Sequence, residues 1–259
     1  MPILPHEARR MAESFGTDAA LYDRARPPYP QALIDRVTGT DVLDVGCGTG
    51  IAARQFQTAG ARVLGVEPDA RMAGFARGSG VETEVATFED WDPTGRTFDA
   101  VIAAQSWHWV DPVAGLAKVA RVLRPGGRFA VFAHAFQAPP EVMEALGAAI
   151  RRVVPGSPVN PGAHTDPVET YRAGLATVAG QIRESGAFAE PEQWRFDAER
   201  TYSRDEWLDQ MSTTGGLTPL PPQQRAEVLT GVGAAIDAIG GGFTVPLTTL
   251  AVTALRTAG

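Results

Sequence analysis

An α/β fold built on a mostly parallel sheet is the architecture that this 259-residue sequence predicts, and three observations predict it. Apolar strand-like runs alternate with helical segments five times between residues 41 and 136. The first run leads directly into Gly46-Cys47-Gly48-Thr49-Gly50, and a helical pattern follows. An acidic residue, Glu67, ends the next run, 21 residues after Gly46. Segments in this rhythm bury their apolar faces best as right-handed βαβ units around one sheet.

The elements follow in order. Residues 5–25 hold helix formers and stop at ARPPYP, where Pro27, Pro28 and Pro30 end any helix. PQALIDRVT (30–38) reads as a helix with Pro30 in its first turn. DVLDVG (41–46) is a short apolar strand, GIAARQFQTA (50–59) a helix, and ARVLGVEP (61–68) a second strand. Asp69 is a natural N-cap for the helix DARMAGFARG (69–78). VETEVATFEDW (81–91) holds a third strand and FDAVIAAQS (98–106) is a fourth. Helix VAGLAKVARVL (113–123) leads to the turn and fifth strand of RPGGRFAVFAHAF (124–136). Beyond 136 the rhythm changes. Helices are expected at 140–154, 168–187, 204–212 and 222–239, and β segments at 194–203 and 243–255. The Pro/Gly stretch 155–167 is too long for a plain connector and reads as part of a lid.

Composition narrows the chemistry. Hydrophobic residues make up 44% and charged residues 20%, an ordinary globular balance. The single cysteine, Cys47, excludes a disulfide scaffold and a Cys-rich zinc site. Lys118 is the only lysine, which argues against a Schiff-base mechanism. Net charge is −7 and no basic stripe occurs, so no nucleic-acid partner is expected. No apolar run reaches the ~18 residues of a membrane span, and the start of the chain lacks a signal-peptide pattern. No membrane association is therefore expected, and a cytoplasmic location is. His6, His108, His134 and His164 show no paired spacing, so no metal site is expected.

Glycines at 46, 48 and 50 let a ligand approach the backbone, and the following helix start adds free N–H donors. An acid at the end of the second strand can accept both hydroxyls of a ribose. Together they point to a nucleoside-containing cofactor. A nicotinamide-dependent oxidoreductase is one alternative. The dinucleotide pattern GxGxxG is broken, however, because the third glycine falls at Gly50 and position 51 is Ile51. A Tyr-x-x-x-Lys pair is also absent, since Ala114 precedes Lys118 by four. A protein that binds the cofactor without turnover is the other alternative.

LDVGCGTG, VEPD, ATFEDW, FDAVIAAQSWHWVD and RVLRPGGRFAVF, in that order, resemble the class I S-adenosylmethionine-dependent methyltransferases of the small-molecule branch. The opening run FGTDAALYDRARPPYP resembles their N-terminal cofactor-covering segment. The resemblance implies a Rossmann-like seven-stranded mostly parallel sheet, with helices on both faces, a reversed last strand and helical lid insertions. The whole chain, 1–259, is then one domain: a cofactor cover (1–28), a cofactor-binding core (30–136), a lid insertion (137–175) and the rest of the sheet with its helical insertion (176–259). S-adenosyl-L-methionine is the implied cofactor. Asp44, Gly46, Cys47, Gly48 and Gly50 are implied beside its methionyl part, and Glu67 and Pro68 beside its ribose and adenine. Thr87, Phe88 and Glu89 frame the adenine, and Gln105 and Ser106 lie by the sulfonium. Tyr22 and Arg26 match the covering segment, where Arg26 can pair with the methionyl carboxylate.

The implied reaction is methyl transfer to an O-, N- or C-nucleophile by in-line displacement, in which positioning dominates. The run QSWHW lacks the Asn/Asp-Pro-Pro-aromatic motif of nucleic-acid amino-methylating enzymes, which disfavours that class, and the resemblance implies a small-molecule acceptor. Trp107 and Trp109 follow the fourth strand, where the acceptor arrives and where aromatic faces can stabilise a cation. His108, between them, is the candidate acid/base, since an imidazole with a pKa near ~6.5 accepts protons at neutral pH. His134, past the fifth strand, and His164, in the 155–167 stretch, complete the candidate acceptor site. A monomer or homodimer is expected.

Overall fold

The computed structural model describes residues 15–37, 39–155 and 166–258. Nine α-helices and seven strands are found among them. Strands β1 (Asp41–Val45), β2 (Arg62–Val66), β3 (Glu82–Glu84), β4 (Phe98–Ala104), β5 (Leu123–Ala135), β6 (Glu192–Ser203) and β7 (Gly242–Leu255) form one sheet in the order β3-β2-β1-β4-β5-β7-β6. The first five run parallel, and β7 is antiparallel to both β5 and β6. The reversed last strand stands where the resemblance implied it. Val42 to Val45 are all buried, as in a strand covered on both faces.

Helices α1 (Ala19–Ala25), α2 (Gln31–Arg36), α3 (Ile51–Thr58) and α4 (Ala70–Gly78) come first in the chain. Leu33 and Ile34 of α2, Phe56 of α3 and Ala76 of α4 cover one face of the sheet, against Val42, Ile102 and Phe132. Helix α5 (Pro112–Val122) and helix α7 (Pro167–Ser185) cover the other, with Leu116, Val119, Leu175 and Ile182 on Leu43, Val101 and Phe129. Caps set the starts of these helices. Asp69 accepts from the Arg71 N–H, as expected, and Asp111 accepts from the N–H groups of Val113 and Ala114. Helix α8 (Arg204–Ser212) opens on a capping box between Ser203 and Glu206.

A third core lies at the carboxyl end of the sheet. There α6 (Pro140–Val153), α8 and α9 (Pro222–Ala238) bury Val142, Ile150, Trp207, Val228 and Ile236 against Tyr202 and Val245. Helix α6, within the expected lid, thus packs into this helical unit. The third strand is only three residues long. The rest of 81–91 folds as a turn held by Lys118, whose Nζ donates to the carbonyls of Glu89 and Trp91 at 2.6 Å. No helix among the described residues is long and apolar enough to cross a membrane.

His134 sits near the end of β5 and is 3% exposed. Its Nδ1 bonds the Thr249 hydroxyl at 2.9 Å, and its ring stacks on Tyr29 at 4.5 Å. Burial drives its pKa down to about 4, and the Pro27 and Pro28 carbonyls oppose this only in part. The imidazole is therefore neutral in the fold. Its contribution to stability is complete above the unfolded value of 6.5 and is lost as pH falls through about 4. The difference amounts to roughly 3 kcal/mol at most. Urea unfolding of His134→Gln at pH 8 and pH 4.5 should show a smaller loss on acidification than the native chain. An identical loss would show that His134 does not titrate abnormally.

Candidate active site

The loop after β1 meets the end of β2 through one carboxylate. Glu67 Oε2 accepts from the Gly48 N–H at 2.9 Å, and Oε1 accepts from the Asp69 N–H at 2.9 Å. The Gly46 N–H donates to the Val66 carbonyl at 2.8 Å, and the Glu67 N–H donates to the Glu84 carbonyl at 3.0 Å. The ends of β1, β2 and β3 are thereby stitched together. Glu67 is 8% exposed, and burial raises its pKa while the two amides work against the shift. Each oxygen keeps lone-pair capacity toward the cavity beside it.

That cavity measures about 520 Å³, within the range of small-molecule sites. Of the residues singled out in the sequence, Tyr22, Arg26, Gly46, Gly48, Glu67, Pro68, Thr87, Phe88, Glu89, Gln105, Ser106, His108 and Trp109 line it. They come from α1, the loop after β1, and the turns after β2, β3 and β4.

Two glycines shape the floor. Gly46 has φ +65°, and a Cβ there would stand 2.5 Å from Ser106 Cβ. Ser106 in turn donates a hydrogen bond to the Val45 carbonyl. Gly48 has φ +57°, and a Cβ there would meet only Met72 Cε, at 3.7 Å. A side chain at 48 is thus excluded by backbone conformation more than by crowding. Gln105 also carries a positive φ, +63°, which is strained for a non-glycine residue. Its N–H donates to the Phe132 carbonyl at 2.9 Å, so the turn is fixed to β5.

The other expected site residues stand behind the cavity wall. Asp44 is fully buried, and neither carboxylate oxygen has a hydrogen-bond partner. Burial, and then the charge of Glu67, push its pKa up to about 7. Cys47 turns toward β2, where Gly65 leaves it room, and burial raises its thiol pKa. Gly50 caps α3 with φ +86°. Trp107 and His134, expected at the acceptor, do not line the cavity. Trp107 is 4% exposed and packs edge-on against Phe129 at 4.8 Å, because the short 3₁₀ turn 107–109 points it into the core while His108 and Trp109 stay on the cavity side. His134 is drawn off by its stack on Tyr29. His164 lies outside the described residues.

His108 is exposed to the cavity, tilted on Trp109 at 4.6 Å, and the surrounding protein lowers its pKa. Arg26 lies over the Tyr22 ring at 4.7 Å and donates to the Thr213 carbonyl at 2.6 Å. Sequence reasoning missed Met72, Val110, Tyr171, Thr214 and Gly215 on the wall. Tyr171, in the first turns of α7, is the one described residue of the expected 137–175 lid on it. No local motif marks these positions. No group of three or more His, Cys, Asp or Glu suited to a metal is found among the described residues.

An open α/β sheet with one reversed strand and a cleft between the ends of β1, β2 and β4 defines the class. That class is an α/β fold with its cleft at the carboxyl ends of the parallel strands, and the segment that builds the cleft is similar to methyltransferase domains. Residues 43–131 match a family described as a methyltransferase domain. Uncharacterized methyltransferases of Mycobacterium bovis and Mycobacterium tuberculosis are 40% identical over 125 residues, covering 46% of this chain and 51% of theirs. A ubiquinone biosynthesis O-methyltransferase of Bradyrhizobium is 35% identical over 102 residues, 37% of this chain and 40% of that protein. The chain thus spans about half the length of the first curated relatives it matches. A solved structure from Anaeromyxobacter dehalogenans, assigned there as a type II methyltransferase, shares the fold. Its TM-score is 0.63 at 24% identity, over 90% of this chain and 97% of that one.

Gly46→Ala should lower stability by about 1–2 kcal/mol from its left-handed backbone alone, and by more through the Ser106 clash. Gly80→Ala, with φ +88° and nothing within 4 Å, isolates the backbone cost. Equal urea midpoints for the two variants would rule out the Ser106 contact as a constraint.

Proposed function

We propose that the chain binds S-adenosylmethionine in this cavity and transfers a methyl group to a small-molecule acceptor. The observation that carries the reading is the Glu67 carboxylate, buried at the end of β2 and held by two backbone amides beside a cleft of about 520 Å³. A carboxylate fixed in this way fits the paired hydroxyls of a ribose. The residues present suit the rest of the cofactor. The Gly46–Gly48 floor is one that a Cβ would disturb, and the unpartnered Asp44 carboxylate behind it favours a positive charge nearby. Phe88 offers an apolar surface after β3, and Arg26 is a cation for a carboxylate. The bound cofactor would supply an electrophilic methyl group on sulfur. The protein's part is to align that carbon with the acceptor, exclude water and keep charge in balance. Tyr22 and Arg26 on the N-terminal side, with Tyr171, Thr214 and Gly215 from the later segments, supply walls that can do this. The order β3-β2-β1-β4-β5-β7-β6, with β7 inserted antiparallel between β5 and β6, also differs from the 3-2-1-4-5-6 order of dinucleotide-binding sheets.

Calorimetric titration with S-adenosylhomocysteine should give saturable one-to-one binding, and titration with NAD should give none. Glu67→Ala should weaken S-adenosylhomocysteine by about 1.5–3 kcal/mol, roughly 10–100-fold. An unchanged dissociation constant would remove Glu67 from the site, and preference for NAD would overturn the reading.

A further inference from the structure

Strand β6 ends the sheet. Its 12 residues pair in unbroken antiparallel register with β7, and no strand among the described residues pairs with its other edge. A row of backbone N–H and C=O groups is left open there, on a strand about twice the usual length. Proteins ordinarily blunt such an edge with proline, lysine or a bulge. Strand β6 holds no proline and no lysine, and its register with β7 has no bulge. It carries charges of both signs instead, at Glu192, Arg195, Asp197, Glu199 and Arg200. Among them stand Trp194 and Phe196, half-buried, with the Arg36 guanidinium 5.4 Å from each ring.

The order of these charges is complementary to its own reverse. Two copies of β6 that extend one sheet antiparallel are related by a twofold axis normal to it, which sets residues of the same face opposite each other. Centred on Phe196, the axis places Glu192 opposite Arg200, Arg195 opposite Asp197, Trp194 opposite Ala198, and Phe196 opposite itself. By symmetry each of the two ion pairs occurs twice. Every other centre from 195 to 200 brings like charges together. Centres at 195 and 200 set arginine against arginine, the centre at 197 sets aspartate against aspartate, and that at 199 glutamate against glutamate. The centre at 198 sets Asp197 against Glu199. Opposite charges across a strand pair stabilise it, and like charges destabilise it.

We infer that β6 is a pairing edge for a second copy of this chain, joined antiparallel about Phe196 so that two sheets become one. An aromatic centre inside a charged rim is the anatomy of a specific protein interface. None of residues 192–203 lines the cavity, so the pairing uses no part of its wall. The inference rests on the sheet order and the charge pattern, and not on the methyl-transfer reading.

Sedimentation equilibrium of the full chain at micromolar concentration should give twice the mass of one chain. Glu192→Arg and Arg200→Glu each set like charges opposite one another in two places, and each should raise the dimer dissociation constant about tenfold. The double variant Glu192→Arg with Arg200→Glu should restore it. Along one strand these positions lie about 26 Å apart, so that rescue passes only between copies. Circular dichroism of each variant separates lost pairing from lost folding. Register is read by cross-linking, the native Cys47 being buried. Phe196→Cys should cross-link to its own copy under mild oxidation, because opposed residues have Cα atoms about 4.5–5.5 Å apart, within disulfide reach. Ala198→Cys, about 13 Å from its own copy in this register, should not. A single-chain mass at that concentration, a dimer indifferent to both single variants, a folded double variant no tighter than the singles, or cross-linking by Ala198→Cys in preference to Phe196→Cys would each overturn the assignment.

Discussion

The Glu67 carboxylate and the two backbone amides that hold it are the interaction on which the rest of the site depends. One side chain ties the Gly48 turn to the start of α4, across neighbouring strands, and neutralises two otherwise idle donors. A buried carboxylate without such donors would protonate or move toward water. With them it stays in place, at the topological switch point where β1 has β2 on one side and β4 on the other. The glycine floor, the Asp69 cap and the position of α4 all follow from that anchoring.

The N-terminal segment is fastened to both sides of the cleft. Asp23 pairs with Arg54 at 2.6 Å, and Arg54 also donates to the Thr49 carbonyl, so α1 is tied to the glycine turn itself. On the other side, Arg24 pairs with Asp209 and Arg26 donates to the Thr213 carbonyl, which ties α1 to α8. The Arg24 pair is exposed and contributes little by itself. The half-buried Asp23–Arg54 pair and the Arg26 bond set the geometry. A short helix that could not persist alone is thus held as a wall of the cavity by side chains from two distant parts of the chain.

Much of the site was legible in the sequence. The glycine spacing and the acid 21 residues on are local signatures, because a strand, a tight turn and a helix start are each encoded within a few residues. Thirteen residues, from Tyr22 to Trp109, most of them named through the family resemblance, line one cavity. Trp107 and His134 were not legible, because the side on which each falls is set by packing. A single 3₁₀ turn sends Trp107 inward beside Phe129 and leaves His108 outside. His134 is claimed by Tyr29, more than 100 residues earlier, which no local pattern reveals.

By itself, the sequence determined the alternation of strands and helices, the glycine turn and the acid that ends the second strand, which rest on residue periodicity and short-range backbone chemistry. The reversed last strand was implied by the family resemblance. Only the tertiary structure decided which side chains share the cavity, that Tyr171, Thr214 and Gly215 line it, that Arg26 bonds the Thr213 carbonyl, and that α6 packs into the third core with α8 and α9. Those outcomes depend on contacts between segments far apart in the chain. They are chosen by the burial of apolar surface over the whole fold, which no short window of residues contains.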